Sequence, residues 1–211
     1  MPITVHSFRL GPMENNTYLL MDNATQEAIL VDPSFGSEEI ASSIEALNCK
    51  IVLVLNTHGH FDHVIGNRYW VEKTGTPLAI HSADLELLNN LQTTAARYGF
   101  TVDSSPQPTQ ELKHGQQLTL GESEIAVRHV HGHAPGHVVL VFDNTVLSGD
   151  CLFKGSIGRT DLAHGDLPAL LKGIASELLT LPDDTMVFPG HGDPTTIGNE
   201  KQSNPYIVSV L

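Results

Sequence analysis

The residues best suited to chemistry form one short segment, Thr57–His63. Four side chains that can bind a metal occur within six positions of it: His58, His60, Asp62 and His63. In an extended backbone, His58 and His60 point to the same side because side chains alternate. Imidazole and carboxylate together suit zinc, iron or manganese, and this segment contains no cysteine that would indicate a structural thiolate site. The alternative, a solvated histidine-rich turn, is disfavoured because Asp62 would pack poorly after a buried strand.

Three later segments share a pattern in which an apolar strand is followed by a glycine or proline turn and then by a ligand-type residue. The three residues are His137, Asp150 and His191. Glycine lets the backbone turn sharply and brings the next side chain close to an ion. Because sites in layered sheets gather beyond strand ends, we expect these loops to converge on the first segment. The sequence therefore predicts a site of seven ligands.

The other histidines are interpreted as supporting or surface residues. His129, His131 and His133 alternate, which is typical of one face of a strand. His133 and His137 have the spacing of a helical zinc pair, but the intervening Pro135 excludes a helix there. The remaining four are His6, His81, His114 and His164.

The elements that position these ligands alternate between strands and helices. The run Ile51–Leu55 is apolar throughout, as is typical of a strand covered on both faces. Ser37 and Ser82 are predicted to begin helices, and apolar residues from Leu167 to Leu181 recur at helical spacing. Residues 101–109 are predicted to be a loop. Further strands are predicted at 3–8, 17–21, 28–31, 117–120, 124–130, 138–142, 145–148 and 186–188. The pattern indicates sheets covered by helices, an α/β layered class.

The composition excludes some partners. The 211 residues include 11 basic and 24 acidic side chains, for a formal net charge of −13. Nucleic acid and anionic membrane surfaces are therefore disfavoured, since both require a basic face. With two cysteines and neither a signal sequence nor a membrane-length apolar run, we expect a soluble, cytoplasmic protein. The length favours one domain, and the oligomeric state is not predicted.

Taken together, the segment Thr57–His63 and the later His137, Asp150 and His191 resemble the metal-binding motifs of the metallo-β-lactamase superfamily. The resemblance implies an α/β fold of the αββα sandwich type, with residues 1–211 as a single domain. It implies two divalent metal ions, zinc as the first choice and iron or manganese as alternatives. The implied ligands are His58, His60 and His137 for one ion and Asp62, His63 and His191 for the other, with Asp150 bridging them.

Within that superfamily, the segments Leu152–Asp161, Pro189–Gly192 and Thr195–Glu200 are similar to the short bacterial form of glyoxalase II. The resemblance implies hydrolysis of a hydroxyacyl thioester of glutathione, such as S-lactoylglutathione. Longer members append a helical domain that helps to hold the glutathione carboxylates, and this chain is expected to lack it. Arg159 lies in the segment where the family places a basic residue that binds glutathione, although it could instead pair with Asp161. Lys154 is a second candidate anchor for an anionic substrate.

The implied mechanism uses a hydroxide held by the two ions, which attacks the thioester carbonyl, with Asp62 and Asp150 as the catalytic carboxylates around it. One alternative is a persulfide dioxygenase with a single iron on His58, His137 and Asp150. The second site formed around Pro189–Gly192 argues against it. Another alternative is a non-catalytic metal-binding domain of the same fold, which predicts a degraded ligand set. β-Lactamase activity is disfavoured because no secretion signal is evident.

Overall fold

Two six-stranded β-sheets build the core of the computed structural model, which describes residues 2–208. The first sheet is formed in chain order by Ile3–Leu10 (β1), Asn15–Asp22 (β2), Glu27–Val31 (β3), Lys50–Leu55 (β4), Leu78–His81 (β5) and Gln110–Leu112 (β6). The strands that follow are Gln117–Leu120 (β7), Ser123–His129 (β8), Val138–Phe142 (β9), Thr145–Gly149 (β10), Leu152–Phe153 (β11), Ser156–Ile157 (β12), Met186–Pro189 (β13) and Thr195–Thr196 (β14). The second sheet has the order β14-β13-β10-β9-β8-β7, and β11 and β12 form a separate hairpin.

Short helices connect these strands. The α-helices are Ala41–Ala46 (α1), Phe61–Val64 (α2), Asn67–Thr74 (α3), Leu85–Asn89 (α4), Leu91–Arg97 (α5), Leu167–Gly173 (α6), Ile197–Ser203 (α7) and Pro205–Val208 (α8). Single turns of 3₁₀ helix occupy Ser37–Ile40 and Ser82–Asp84, and a π-helical turn at Ile174–Leu178 continues α6. No helix in residues 2–208 is both long and apolar enough to cross a membrane.

Apolar packing arranges these elements in four layers. Leu20 and Leu55 of the first sheet share one buried cluster with Val127 and Leu140 of the second, so the sheets pack face to face. On the outer face of the first sheet, a cluster contains residues of α1 and α3, with Trp70 almost fully buried. The outer face of the second sheet packs on α6 and α7. The predicted αββα sandwich is therefore confirmed.

Two pairs of parallel strands determine where the site lies. β3 and β4 are parallel neighbours in the first sheet, and β10 and β13 are parallel neighbours in the second. The carboxyl ends of parallel neighbours lie at the same edge of a sheet. Predicted metal-binding residues lie in the segments that follow β4, β10 and β13. At this edge, an isolated β-bridge between Asn15 and His191 joins the two sheets.

The predicted elements agree with the structure over most of the chain. Residues 101–108 carry no regular element, as expected, although β6 follows immediately and was not predicted. The strand predicted at 124–130 ends at His129, so the histidines after it leave the sheet. The single-domain interpretation of residues 1–211 stays a prediction, and Met1 and Ser209–Leu211 lie outside the described residues.

Candidate metal centre

The loops at the sheet edge bring three combinations of metal-binding side chains together. One of them, Asp32, His58 and His63, uses a carboxylate that already accepts two hydrogen bonds from Thr57, and the other two, the first and second groups, share no residue. In the first group, one nitrogen each of His58, His60 and His133 lies within 4.8 Å of the others. In the second group, the same holds for one ligand atom each of Asp62, His63 and His191. Each group offers three ligand atoms, which is the number that catalytic zinc sites take from the protein.

Asp150 lies between the two groups. Its Oδ1 is 3.5 Å from His63 Nε2, and its Oδ2 is 3.6 Å from both His133 Nε2 and His191 Nε2. The carboxylate thus faces one member of the first group and two members of the second. That Asp150 bridges two ions stays a prediction.

The structure groups His133 with His58 and His60, whereas His137 does not join that group, although its ring centroid lies 5.0 Å from that of His58. Nε2 of His133 is 2.9 Å from Nδ1 of His60. His137 is fully buried behind the site, and its Nε2 accepts a hydrogen bond from the backbone N–H of Asp150 (2.9 Å). That nitrogen is therefore occupied, and the other, Nδ1, is buried without a hydrogen-bond partner in residues 2–208. His137 thus supports the Asp150 backbone through one nitrogen, and its predicted role as a metal ligand stays a prediction.

In three of the imidazoles, a partner on the far side contacts Nδ1 and points Nε2 toward the site. Nδ1 of His133 donates to the carbonyl of Arg159 (2.9 Å), and Nδ1 of His191 donates to the carbonyl of Met13 (3.0 Å). Nδ1 of His63 is 3.1 Å from Oδ2 of the buried Asp32. Such partners fix the tautomer and the ring orientation of a metal-binding histidine.

Asp32 organises the first loop, although no role was predicted for it from the sequence. It accepts hydrogen bonds from the backbone N–H of Thr57 (2.7 Å) and from Thr57 Oγ1 (2.6 Å), in addition to its contact with His63. Thr57 Oγ1 in turn lies 3.0 Å from Nδ1 of His58. One signal for its role was available, because Asp32 follows β3 directly and β3 is the parallel neighbour of β4.

Burial and charge set the ionisation of the ligands. Burial, with a contribution from His133, lowers the pKa of His60 to about 4. Burial and the surrounding histidines also lower the pKa of His58 well below its usual value. Burial alone would raise the pKa of Asp62 and Asp150, but the neighbouring His63 holds both below their usual range. His58 and His60 are therefore neutral and these two carboxyls anionic at neutral pH, which are the forms that bind a metal. Burial alone would lower the pKa of His63, but Asp150 and Asp62 outweigh it and raise that pKa well above its usual value, so His63 must lose a proton when an ion binds.

These residues fit a metal ion. Nε2 of His58 is buried and has no hydrogen-bond partner among the described residues. A buried polar atom without a partner is costly, and a cation bound there would satisfy it. Nitrogen and carboxylate donors of this kind suit zinc, iron and manganese.

A cleft of about 720 Å³ opens above the two groups. Its walls include Phe61, Tyr98 and Phe153, together with the arginines Arg97 and Arg159. Phe61 stacks on Tyr98 with ring centroids 4.7 Å apart. The sequence analysis named neither Arg97 nor Tyr98, because their segment resembles the exposed end of an ordinary helix.

The two predicted substrate anchors differ in position. Arg159 lines the cleft, and its Nε and Nη2 donate to the two carboxylate oxygens of Asp161, both at 2.8 Å. Lys154 is exposed on the β11–β12 hairpin and is not among the cleft-lining residues of the described chain. The geometry thus brings Arg159 to the cleft with its Nη1 free of that ion pair, and leaves Lys154 outside.

Comparison with known proteins agrees with this site. The family model for the metallo-β-lactamase superfamily matches residues 10–191. The chain belongs to the metallo-β-lactamase superfamily. The match spans both groups of metal-binding residues, from the loop after β1 to His191.

Individual members of the superfamily are similar over nearly their whole length. The chain is 34% identical to the hydroxyacylglutathione hydrolase GloC of Haemophilus influenzae, covering 93% of this chain and 94% of that protein. The crystal structure of the B3 metallo-β-lactamase BLEG-1 superposes with a TM-score of 0.90 at 32% identity, covering 97% of this chain and 99% of the other. TTHA1623 in a di-iron-bound form gives a TM-score of 0.88 at 35% identity, covering 95% and 99%.

The fold, the family and the side-chain clusters together define a general activity. The protein is a metal-dependent hydrolase of the metallo-β-lactamase superfamily, and its histidine and aspartate clusters fit a dinuclear metal site.

Proposed function

We propose that the protein is a thioesterase that hydrolyses hydroxyacyl thioesters, with a glutathione conjugate as the leading candidate substrate. The observation that carries the proposal is the complete pair of three-residue groups with a carboxylate between them. The similarity to a hydroxyacylglutathione hydrolase supports the choice of substrate class. The expected cytoplasmic location stays a prediction.

The proposed ligands differ from the sequence-based set at one position. His58, His60 and His133 would hold one ion, Asp62, His63 and His191 would hold the other, and Asp150 would bridge them. When bound, two such ions supply a Lewis acid for the carbonyl oxygen and lower the pKa of a water molecule toward ~7.

The chain itself contributes orientation and charge. Asp62 stays anionic, and its Oδ2 accepts a hydrogen bond from Asn15 Nδ2 (2.9 Å) and lies 3.4 Å from His191 Nε2. Held in this way, Asp62 can accept a hydrogen bond from the attacking water and direct it at the carbonyl. The leaving group is a thiolate, which departs without a strong general acid, and no acid is therefore assigned beside the sulfur.

The cleft provides the binding site for the thioester. The side chains of Phe61 and Phe153 line the cleft and present apolar surface to a bound thioester. Arg159 can donate from Nη1 to a substrate carboxylate while Asp161 holds the rest of its guanidinium in place.

The test is a substrate panel combined with metal analysis on one preparation. We expect two metal equivalents per chain and release of free thiol from S-lactoylglutathione, faster than from uncharged thioesters and without hydrolysis of a β-lactam. A metal-replete protein that cleaves no thioester would overturn the proposal. One iron per chain with oxygen consumption on glutathione persulfide would replace it with the dioxygenase alternative.

A further inference from the structure

Asp84 is a buried carboxylate that belongs to neither group of metal-binding residues. It lies on the 3₁₀ turn that follows β5 and is completely inaccessible to solvent. Its Oδ2 accepts a hydrogen bond from the backbone N–H of Gly59 (2.8 Å), and its Oδ1 accepts one from the backbone N–H of Gly136 (2.5 Å). Both carboxylate oxygens are therefore used on backbone amides.

These two amides come from different sheets. Gly59 lies between His58 and His60 in the loop after β4 of the first sheet, and Gly136 lies in the loop after β8 of the second, three residues beyond His133. The first group of metal-binding residues draws its three nitrogens from the same two loops. A single carboxylate therefore joins the two backbone segments whose separation sets the geometry of that group.

The contact is close on both sides. A Cβ added at Gly59 would lie 2.9 Å from the carbonyl oxygen of Asp84, and one added at Gly136 would lie 2.9 Å from its carboxyl carbon. A backbone hydrogen bond from Val138 to the carbonyl of Thr57 (2.8 Å) joins the same loops on the other side of the histidines. The first group thus lies between two cross-links to backbone amides, one from the Asp84 side chain and one from backbone to backbone, in addition to the contact between its own members His60 and His133.

The second group has separate supports. His63 is held by Asp32, and Asp62 is held by Asn15. Asp84 contacts neither of these residues among its hydrogen bonds in residues 2–208. The loss of Asp84 should therefore weaken metal binding by the first group more than metal binding by the second.

We propose that Asp84 is a positioning residue that sets the affinity of the first metal site by holding the His58–His60 loop against the His133 loop. The inference rests on the ligand groups of the proposed function and concerns metal binding before any substrate is present. Each of the two N–H groups donates to a different oxygen of Asp84, and at this side-chain length only a carboxylate offers two acceptor oxygens. An asparagine would keep the volume but turn an NH₂ group toward one of the amides.

The decisive experiment is a mutant cycle read out as metal affinity by chelator competition, with zinc as the probe. His191→Gln weakens the second group and leaves the first, and His133→Gln does the reverse. We expect Asp84→Asn to lower zinc affinity roughly 10- to 100-fold in the His191→Gln background, as loss of a supporting partner does. In the His133→Gln background, Asp84→Asn should lower zinc affinity by less than about threefold.

Asp32→Asn is the matched control because it removes a buried carboxylate from the other group. It should show the opposite dependence on background, since Asp32 contacts His63. Equal losses in both backgrounds, or unchanged affinity in both, would overturn the proposal. If wild-type protein binds two ions but cleaves no thioester, the proposed function fails while the role of Asp84 is still tested.

A measurement on the unmodified protein covers the case in which Asp84→Asn does not fold. Hydrogen exchange of metal-free wild-type protein should show the Gly59 and Gly136 amides strongly protected, because Asp84 accepts from them without an ion. Rapid exchange of either amide in otherwise folded protein would contradict the proposal.

Discussion

Each histidine of the metal centre is defined by what its second nitrogen contacts. His133 and His191 donate to backbone carbonyls, and His63 contacts the carboxylate of Asp32. In His137 the nitrogen that could serve as a ligand instead accepts from the Asp150 backbone. His133 and His191 thus donate from the nitrogen that faces away from the site, whereas His137 accepts with Nε2, and this difference is the basis for proposing the first two as ligands.

This difference predicts the outcome of two matched substitutions. His133→Gln should remove one metal equivalent and lower kcat/KM by more than about 100-fold, beyond the 10- to 100-fold typical of an outer partner. His137→Gln should retain two equivalents, because the amide can still accept from the Asp150 N–H, with a smaller loss of activity. Measurements of metal content and thioesterase rate on the two variants test this predicted difference. The reverse order of effects would restore His137 as the ligand.

The metal-binding residues also show which positions of the site can be predicted from the sequence. His58, His60, Asp62 and His63 were predicted to lie together because they follow a buried strand within six residues. His133 was taken for a strand residue because it continues an alternation that begins at His129. The strand ends at His129, however, and Gly132, with a φ of 124°, turns the chain toward the site. Spacing alone does not show where such a turn occurs.

Among the secondary-structure elements, the ends of the buried strands were easier to predict from the sequence than the residues that line the cleft. The apolar runs of β4 and β10 identify buried strands, and the layered class then places the loops after them at one edge. β6 was missed because it lies in a polar stretch and two of its three residues are exposed. The residues of α5 that line the cleft were not predicted to do so, because their spacing shows no hydrophobic periodicity.

Arg97, at the end of α5, should contribute to the binding of anionic substrates. It lines the cleft and has no carboxylate within ion-pair distance in residues 2–208, whereas Arg159 is paired with Asp161. Arg97→Ala should raise KM for a thioester with an anionic carrier by roughly 3- to 30-fold, as expected for one charge-assisted hydrogen bond at an exposed site, and should leave kcat nearly unchanged.

Two controls separate this effect from a general loss of charge. Lys172→Ala removes one exposed positive charge from α6, outside the cleft, and should not change KM. An uncharged thioester should show no difference between wild type and Arg97→Ala. An equal rise of KM for charged and uncharged substrates would refute an electrostatic role for Arg97.

At the scale of the whole molecule, the centre lies between the two sheets. His58 and His60 follow β4 of the first sheet, whereas His133, Asp150 and His191 follow strands of the second. An ion bound by both sets would join the edges of the two sheets. The formal net charge of −13 adds repulsion throughout the chain, and bound cations would relieve part of it locally.

Metal removal should therefore lower thermal stability as well as activity. A ligand present at 1,000 times its Kd stabilises the native state by about 4 kcal/mol. For a chain of this size, each kcal/mol shifts Tm by roughly 2–4 °C, so full chelation of one such ion should lower Tm by about 8–16 °C. Calorimetry of metal-loaded and chelated protein measures the shift, and readdition of zinc should reverse it.

The same measurement on His133→Gln tests whether the stabilisation comes from joining the sheets. The first group takes ligands from both sheets, and so does the second, since Asp62 and His63 follow β4 and His191 follows β13. Loss of His133 should therefore remove only part of the chelation-dependent shift, because the second ion still joins the two edges. A variant that has lost the whole shift would show that the second group binds no ion without the first.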